Sequence, residues 1–311
     1  MNKINLFSIP ISVTSKPQAL ATVSHWLTES KAKGRQAATF SPRIIATPNP
    51  EMIVAAQSDP EFLKALQSAD LAIPDGIGIV WALKILGYRS AVVIPAKAGI
   101  YFNRSPIRSG MTDENRKPKT DNWKLSRLSG LDLMESLIAE SAKNGWKVML
   151  LGGKSGVGEK ATAALRRNFK FPARLRMDEV QAGGQISNFK LQALAGPVDI
   201  NKVTPVQLNN LINSINSFSP DLLFVAFGHG KQEKWLNVNR YRLNVGVAMG
   251  VGGAFDQIAD PSLRPPEFIN KLGMGWLYRL LREPWRWKRQ LSLIKFILMV
   301  INHQPINPST H

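Results

Sequence analysis

Ala46-Thr47-Pro48-Asn49-Pro50-Glu51-Met52 and Ile73-Pro74-Asp75-Gly76-Ile77-Gly78 are two polar clusters, each at the end of a short apolar run. Arg43 to Ala46 has β character and stops at Thr47-Pro48-Asn49. Leu71-Ala72-Ile73 stops at Pro74-Asp75-Gly76. Between them Ile53, Ala56, Phe62, Leu63 and Leu66 follow helical spacing, which predicts one helix from Met52 to Ala69. A strand–helix–strand unit of this kind is parallel and right-handed. It sets both clusters at the carboxyl ends of neighbouring strands, where open α/β sheets take ligands. Thr47, Asn49 and Asp75 are therefore the first candidates for chemistry. Each also has a plainer reading as a turn or helix-capping residue, and for an aspartate between proline and glycine the cap is the commoner role.

The alternation continues outward. A strand and then a helix around Ala19 to Leu27 are expected in residues 1–30, and Ile77 to Leu86 reads as a helix closed by Gly87. Order returns at Arg127-Leu128-Ser129-Gly130-Leu131-Asp132, with a helix carrying Leu133, Leu137 and Ile138. Trp146 to Leu151 reads as a buried strand entering Gly152-Gly153-Lys154-Ser155-Gly156-Val157-Gly158, which opens a helix to Asn168. Residues 185–210 read as a long connection ending in a helix. Asp221 to Phe227 and Val245 to Gly250 are further strands, each followed by a glycine-bearing loop and a helix. The fold class is α/β: a Rossmann-like, mostly parallel sheet flanked by helices, spanning residues 1–260. Residues 90–122 hold neither period and read as an insertion, and the phrase Val93 to Ile100 resembles translated repetitive-element DNA.

The chain has 311 residues, with 40 Lys+Arg against 22 Asp+Glu, a net charge of +18. That imbalance points to an anionic partner: nucleic acid, a phosphorylated substrate or an acidic membrane. With no cysteine, disulfides and thiolate metal sites are excluded, and the four histidines lack zinc-type spacing. No cofactor or metal is expected. The first residues lack the features of a signal peptide, and no run reaches the roughly 18 apolar residues of a spanning helix, so a soluble or peripheral cytoplasmic protein is expected.

Residues 261–311 change character. Gly275 to Arg282, then Glu283-Pro284-Trp285-Arg286-Trp287-Lys288-Arg289, precede an apolar run from Leu291 to Ile301. Arginines beside tryptophans, followed by an apolar segment too short to span, suit a helix lying in a membrane interface. Packing in the core is the other reading, and a nucleic-acid patch leaves the apolar run without a use.

The glycine loop at Gly152 fails the P-loop pattern, since Glu159-Lys160-Ala161 stands where Lys-Ser/Thr is required, and it fails the dinucleotide spacing. It remains either a tight turn or a phosphate cradle at a helix start. A nucleotide-dependent oxidoreductase and a basic nucleic-acid-binding protein stand as alternative functions.

Taken in order, the motifs resemble the WecG/TagA/CpsF glycosyltransferase family (glycosyltransferase family 26). They are TPNPE from Thr47, ADLAIPDGIGI from Asp70's preceding alanine, RLSGLDL from Arg127 and LLGGKSGVG from Leu150. PDLLFVAFGHGKQE from Pro220, GVGGAFD from Gly250, RPP from Arg264 and WLYRLLREPWRWKR from Trp276 complete the set. The resemblance implies an inverting, metal-independent transfer of an N-acetylmannosamine-type or related hexose from a UDP-sugar to an undecaprenyl-diphosphate-linked acceptor, in cell-surface polysaccharide or teichoic acid biosynthesis. It makes Asp75 the general base, with Thr47 and Asn49 lining the same pocket. It assigns Gln232 and Glu233 to substrate contact, and Gly152, Gly153, Lys154, Gly252 and Gly253 to cradling UDP. Arg264, Arg279, Arg282, Arg286 and Arg289 become the cations of a C-terminal appendage. That appendage is expected to dock on the anionic inner face of the plasma membrane, and nucleic acid is not an expected partner. A homo-oligomer is allowed. Gly275, Gly230 and Asp260 depart from the family's usual glutamate, proline and glycine.

Overall fold

A computed structural model describes residues 3–35, 40–86, 128–168, 190–266, 269, 275–284 and 287–303. The stretch 90–122 lies outside these residues. The chain opens with an antiparallel hairpin, β1 (Lys3–Leu6) and β2 (Ile9–Ser12), instead of the single strand expected there. Phe7 and Ser8 make the two-residue turn with φ of 49° and 66°, a primed-turn geometry normally marked by Asn-Gly. Its residue types hid it. Ser12 Oγ accepts from Ala72 N at 3.0 Å, so the hairpin is fixed to the main sheet. Helix α1 (Lys16–Lys33) follows, capped reciprocally by Ser15 and Gln18 with Pro17 in its first turn.

Strand β3 (Arg43–Ala46) leads not into one helix but two, α2 (Pro50–Ala56) and α3 (Pro60–Gln67), before β4 (Leu71–Ala72). The expected continuous helix is interrupted at Asp59-Pro60. Asp59 Oδ1 accepts from Phe62 N at 2.9 Å and Pro60 takes the first helical position, where its missing N–H costs nothing. Lys234 donates to the other Asp59 oxygen at 2.8 Å; that bond first, then the Phe62 amide, holds the Asp59 carboxyl below the usual carboxylate range. Apolar spacing ran through the break because both helices bury the same side. Helix α4 (Ile77–Ile85) closes this part, and α5 (Gly130–Asn144), β5 (Lys147–Gly152) and α6 (Val157–Asn168) follow as expected.

The long connection expected over 185–210 contains a strand, β6 (Lys190–Leu194), and the start of α7 (Pro205–Phe218). An edge strand with mixed burial lacks the apolar run that reveals central strands. Then come β7 (Leu222–Ala226), α8 (Lys231–Asn239), β8 (Val247–Gly250) and α9 (Ala254–Ala259). The six strands form one parallel sheet in the order β4-β3-β8-β7-β5-β6.

Side chains alternate across it. Val148, Leu150, Phe224 and Met249 pack with α1, α5, α6 and α9 on one face. Met149, Leu151, Leu223 and Val225 pack with α7 and α8 on the other. A third apolar cluster, from the hairpin, α2, α3 and α4, includes Phe296 and Val300 of the last helix, α11 (Trp287–Asn302), which follows α10 (Gly275–Arg282). The core-packing reading of the C-terminal segment is realised in part: α11 has one stripe in the core, while Leu291, Ile294, Leu298 and Ile301 stay exposed.

Because Phe296 is fully buried, Phe296→Ala should lower unfolding stability by about 3–5 kcal/mol. Chemical denaturation would measure it. A loss under about 1 kcal/mol would mean that α11 is only loosely attached.

Candidate active site

Every strand of a parallel sheet delivers its following loop to the same edge. At that edge the loops after β3 and β4 are joined by continuing the strand ladder. Ile73 N donates to Ala46 O at 2.9 Å and Asp75 N to Pro48 O at 2.8 Å. Thr47, Asn49 and Asp75 are therefore held on one small surface. Asn49 caps α2, its Oδ1 accepting from Met52 N at 2.9 Å, so the bland reading of this residue is correct as far as it goes. For Asp75, the N-cap position of α4 is itself taken by Gly76, with φ +90° and no side chain of its own to cap with. The aspartate stands one residue before the cap and half-buried at the sheet edge. Gly78 lets the first turn of α4 press on α2, since a Cβ there would lie 2.7 Å from Pro50 Cγ.

Thr47 is buried against the start of α5. A Cβ on Gly130 would meet Thr47 Oγ1 at 3.1 Å, so the glycine of the RLSGLDL motif lets the two approach this closely. Ser129 caps α5 by accepting from Asp132 N at 3.1 Å. Sequence reasoning did not assign this helix start to the site, although the motif lay in view. It also passed over Glu51 and His229. Glu51 Oε1 and His229 Nε2 are 3.4 Å apart, joining the β3 loop to the β7 loop.

The loops after β7 and β8 are braced by Gln232 and Glu233, both buried. Gln232 Oε1 accepts from Gly252 N at 3.0 Å, and Gln232 Nε2 donates to Glu233 Oε1 at 2.8 Å. Glu233 Oε2 accepts from Gly230 N at 2.7 Å. Gly250 leaves room for the pair, because a Cβ on it would lie 2.7 Å from Gln232 Nε2 and 2.9 Å from Glu233 Oε1. The geometry makes these two residues supports of the Gly252-Gly253 loop. Burial raises the Glu233 carboxyl to about 7, against the hydrogen bonds from Gln232 and Gly230 that favour its charged form.

After β5, Gly152 and Gly153 both have positive φ, 89° and 85°. Gly153 N donates to Ala226 O at 2.9 Å, tying this loop to the end of β7, and a Cβ on Gly152 would strike the Phe227 ring at 2.8 Å. The tight-turn reading therefore holds. The turn opens α6, whose first amides face the same edge, and Lys154 beside it is exposed. Helices α6 and α8 lie on opposite faces of the sheet, so the ends of β5 and β7 flank a topological switch point, the usual ligand crevice of such sheets.

The C-terminal cations are placed differently. Arg264 Nη2 donates to Glu135 Oε1 at 2.6 Å and its Nε to Gln257 O at 2.8 Å, fastening the segment after α9 to α5. Arg279 lies 3.5 Å from Glu283, and Arg282 stacks over the Tyr278 ring. Arg286 and the side chain of Arg289 lie outside the described residues. A cavity of about 630 Å³ opens at the opposite, amino-terminal edge, around Lys31, Arg35, Lys147 and Asp221. There Asp221 pairs with Arg35 and accepts from Lys147 N at 2.7 Å, a clamp on the strand starts far from the clustered motifs. Among the described residues, no group of three His, Asp or Glu side chains is arranged to hold a metal ion.

The sequence profile of the WecG/TagA/CpsF glycosyl transferase family matches residues 4–96 and 120–309. The chain belongs to the WecG/TagA/CpsF family. It is accordingly a glycosyltransferase, so hydride transfer is set aside. The match omits residues 97–119, inside the stretch read as an insertion. Within the family the chain is similar to the N-acetylglucosaminyldiphosphoundecaprenol N-acetyl-beta-D-mannosaminyltransferase of Bacillus subtilis (strain 168), at 26% identity over 262 residues, 84% of this chain and 80% of that protein. The Bacillus spizizenii (strain ATCC 23059 / NRRL B-14472 / W23) protein of the same name is 27% identical over 267 residues, 86% of this chain and 82% of that protein.

The Glu233 environment yields a pH test. Its carboxyl takes up a proton at higher pH folded than unfolded, so the folded state binds more protons between about 4.5 and 7. Its contribution to stability is full below pH 4.5 and is lost as pH rises to about 7. Denaturation midpoints across that range should show this loss in the native chain, and the slope should flatten in Glu233→Gln.

Proposed function

We propose that this glycosyltransferase is inverting and metal-independent, and moves an N-acetylmannosamine-type or related hexose from a UDP-sugar to a polyprenyl-diphosphate-linked acceptor. The reading places it in cell-surface polysaccharide or teichoic acid biosynthesis. The observation that carries the catalytic assignment is the position of Asp75: at the carboxyl edge of the sheet, bound through its backbone to the Thr47–Asn49 loop, one residue before the Gly76 turn into α4. The two Bacillus relatives are named for an acceptor of this class and for mannosaminyl transfer, which supports the substrates proposed.

In the reaction the Asp75 carboxylate takes the proton of the acceptor hydroxyl as its oxygen attacks the anomeric carbon. The bond from that carbon to the UDP oxygen breaks on the opposite face, so the configuration inverts and UDP leaves with the electron pair. The developing diphosphate charge is met by the amide-rich start of α6 and by Lys154, beside the Gly152-Gly153 and Gly252-Gly253 turns, whose Gly153 and Gly252 N–H groups hold the turns themselves in shape through Ala226 O and Gln232 Oε1. Gln232 and Glu233 act one step back, by fixing the second of these turns. Thr47 and the start of α5 form the wall beside Asp75. Arg279, Arg282, Arg286 and Arg289, with Trp285, Trp287 and the run Leu291 to Ile301, hold the enzyme on the anionic inner face of the membrane that carries the acceptor. No described helix is long and apolar enough to cross a membrane.

Asp75→Asn should lower kcat by about 10²–10⁴ with donor KM within a few-fold and an unchanged circular dichroism spectrum. Labelled UDP-sugar turnover on a lipid-diphosphate acceptor measures it, and native-like kcat in the variant would remove Asp75 as the base. A chelator added to the native enzyme should leave turnover unaltered; a loss restored by divalent cation would overturn metal independence.

A further inference from the structure

The exposed apolar stripe of α11 has a neighbour on a different part of the chain. On α4, Ile77, Trp81 and Ile85 recur every four residues and so share one face, yet they are 49%, 38% and 46% exposed. The opposite face of α4, with Ile79, Ala82 and Leu83, is buried in the cluster that also receives Phe296 and Val300 of α11. The two helices touch each other. The α4 stripe and the exposed Ile294, Leu298 and Ile301 of α11 thus lie on two touching helices that cover one core, each presenting an outward apolar face. Exposed lysines, Lys84 on α4 and Lys295 on α11, stand among these apolar residues.

Patches of this kind mark a contact surface. The charge selects the partner. A chain carrying +18 repels a second copy of itself and is drawn to an anionic bilayer. Isolated apolar residues beside lysines suit the interface between headgroups and acyl chains, where the apolar tips enter and the ammonium groups stay among phosphates. We propose that α4 is a second membrane-contacting helix, docking on an anionic lipid surface together with α11. The proposal rests on the membrane-docking reading given above and extends it from the C-terminal segment to the catalytic body. Its consequence is positional. Helix α4 begins two residues after Asp75, so docking holds the Asp75 loop at the bilayer surface, where the diphosphate and first sugar of a lipid-linked acceptor stand.

The chain has no cysteine, so single cysteines can be placed and labelled with an environment-sensitive fluorophore. Full-length Ile85→Cys and Ile294→Cys proteins, with Val206→Cys on α7 as control, would be mixed with phosphatidylglycerol-containing vesicles. Both test labels should shift to the blue and be quenched by a lipid-borne quencher, and the control should do neither. A response at 294 without one at 85 would overturn the role of α4 and leave docking through α11 intact. Silence at both positions would remove the docking reading itself and the proposal with it. A shift at 85 that grows with protein concentration in the absence of vesicles would show contact between copies of the chain, also overturning the proposal. Independently, Trp81→Gln should weaken vesicle partitioning about tenfold at an unchanged melting temperature; flotation equal to native would contradict it.

Discussion

The pairing of β3 with β4 does not stop where the strands stop. Two further hydrogen bonds, Ile73 N to Ala46 O and Asp75 N to Pro48 O, carry the ladder into the loops. This pins two short polar segments from different strands to one another. The cap geometry depends on it: Asp75 is fixed in extended continuation of β4, so the chain must turn into α4 one residue later, at Gly76 with φ +90°. A residue with a Cβ is strained there. The tight seat of Gly78 on Pro50 and of Gly130 on Thr47 follows from the same arrangement, because the helices that leave these loops have to start almost in contact. The arrangement of these loops is therefore a property of the sheet edge, and a glycine performs the turn that follows the aspartate.

The two edges of the sheet use buried charge in different ways. At the amino-terminal edge Asp221 is matched by Arg35 and by the Lys147 amide, a compensated cluster that fastens the strand starts. At the carboxyl edge the hydrogen bonds to Glu233 among the described residues come from the Gln232 amide and from backbone N–H groups, including that of Gly230, and burial raises its proton affinity. Such a group is costly to keep charged. It is kept where it joins the β7 and β8 loops at the carboxyl edge of the sheet.

The strong positive charge also divides by location. Arg35, Arg240 and Arg264 are bound to Asp221, Asp70 and Glu135 within the body and leave little field outside. Exposed Lys84, Lys154 and Lys295 stand at the site edge and beside the apolar stripes of α4 and α11. Charge counted over the whole chain indicates an anionic partner, and the placement of these lysines bears on the phosphate and lipid partners proposed above.

By itself the sequence determined the class of fold and the end of the sheet where the site lies. Apolar runs ending on Thr47-Pro48-Asn49, Pro74-Asp75-Gly76, Gly152-Gly153 and Gly228-His229-Gly230 show their alternation locally, since strand burial and turn chemistry are properties of consecutive residues. Where local signals were ambiguous, the three-dimensional structure decided. The hairpin turn at Phe7-Ser8 and the edge strand Lys190–Leu194 lacked their usual residue types, and helical spacing ran across the break at Asp59-Pro60. Only packing could show that Gln232 and Glu233 are enclosed by Gly250, that Gly76 takes the N-cap position of α4, and that α4 turns Trp81 outward. Burial and hydrogen-bond partners come from residues far apart in the chain, and no periodicity along it records which face will be covered.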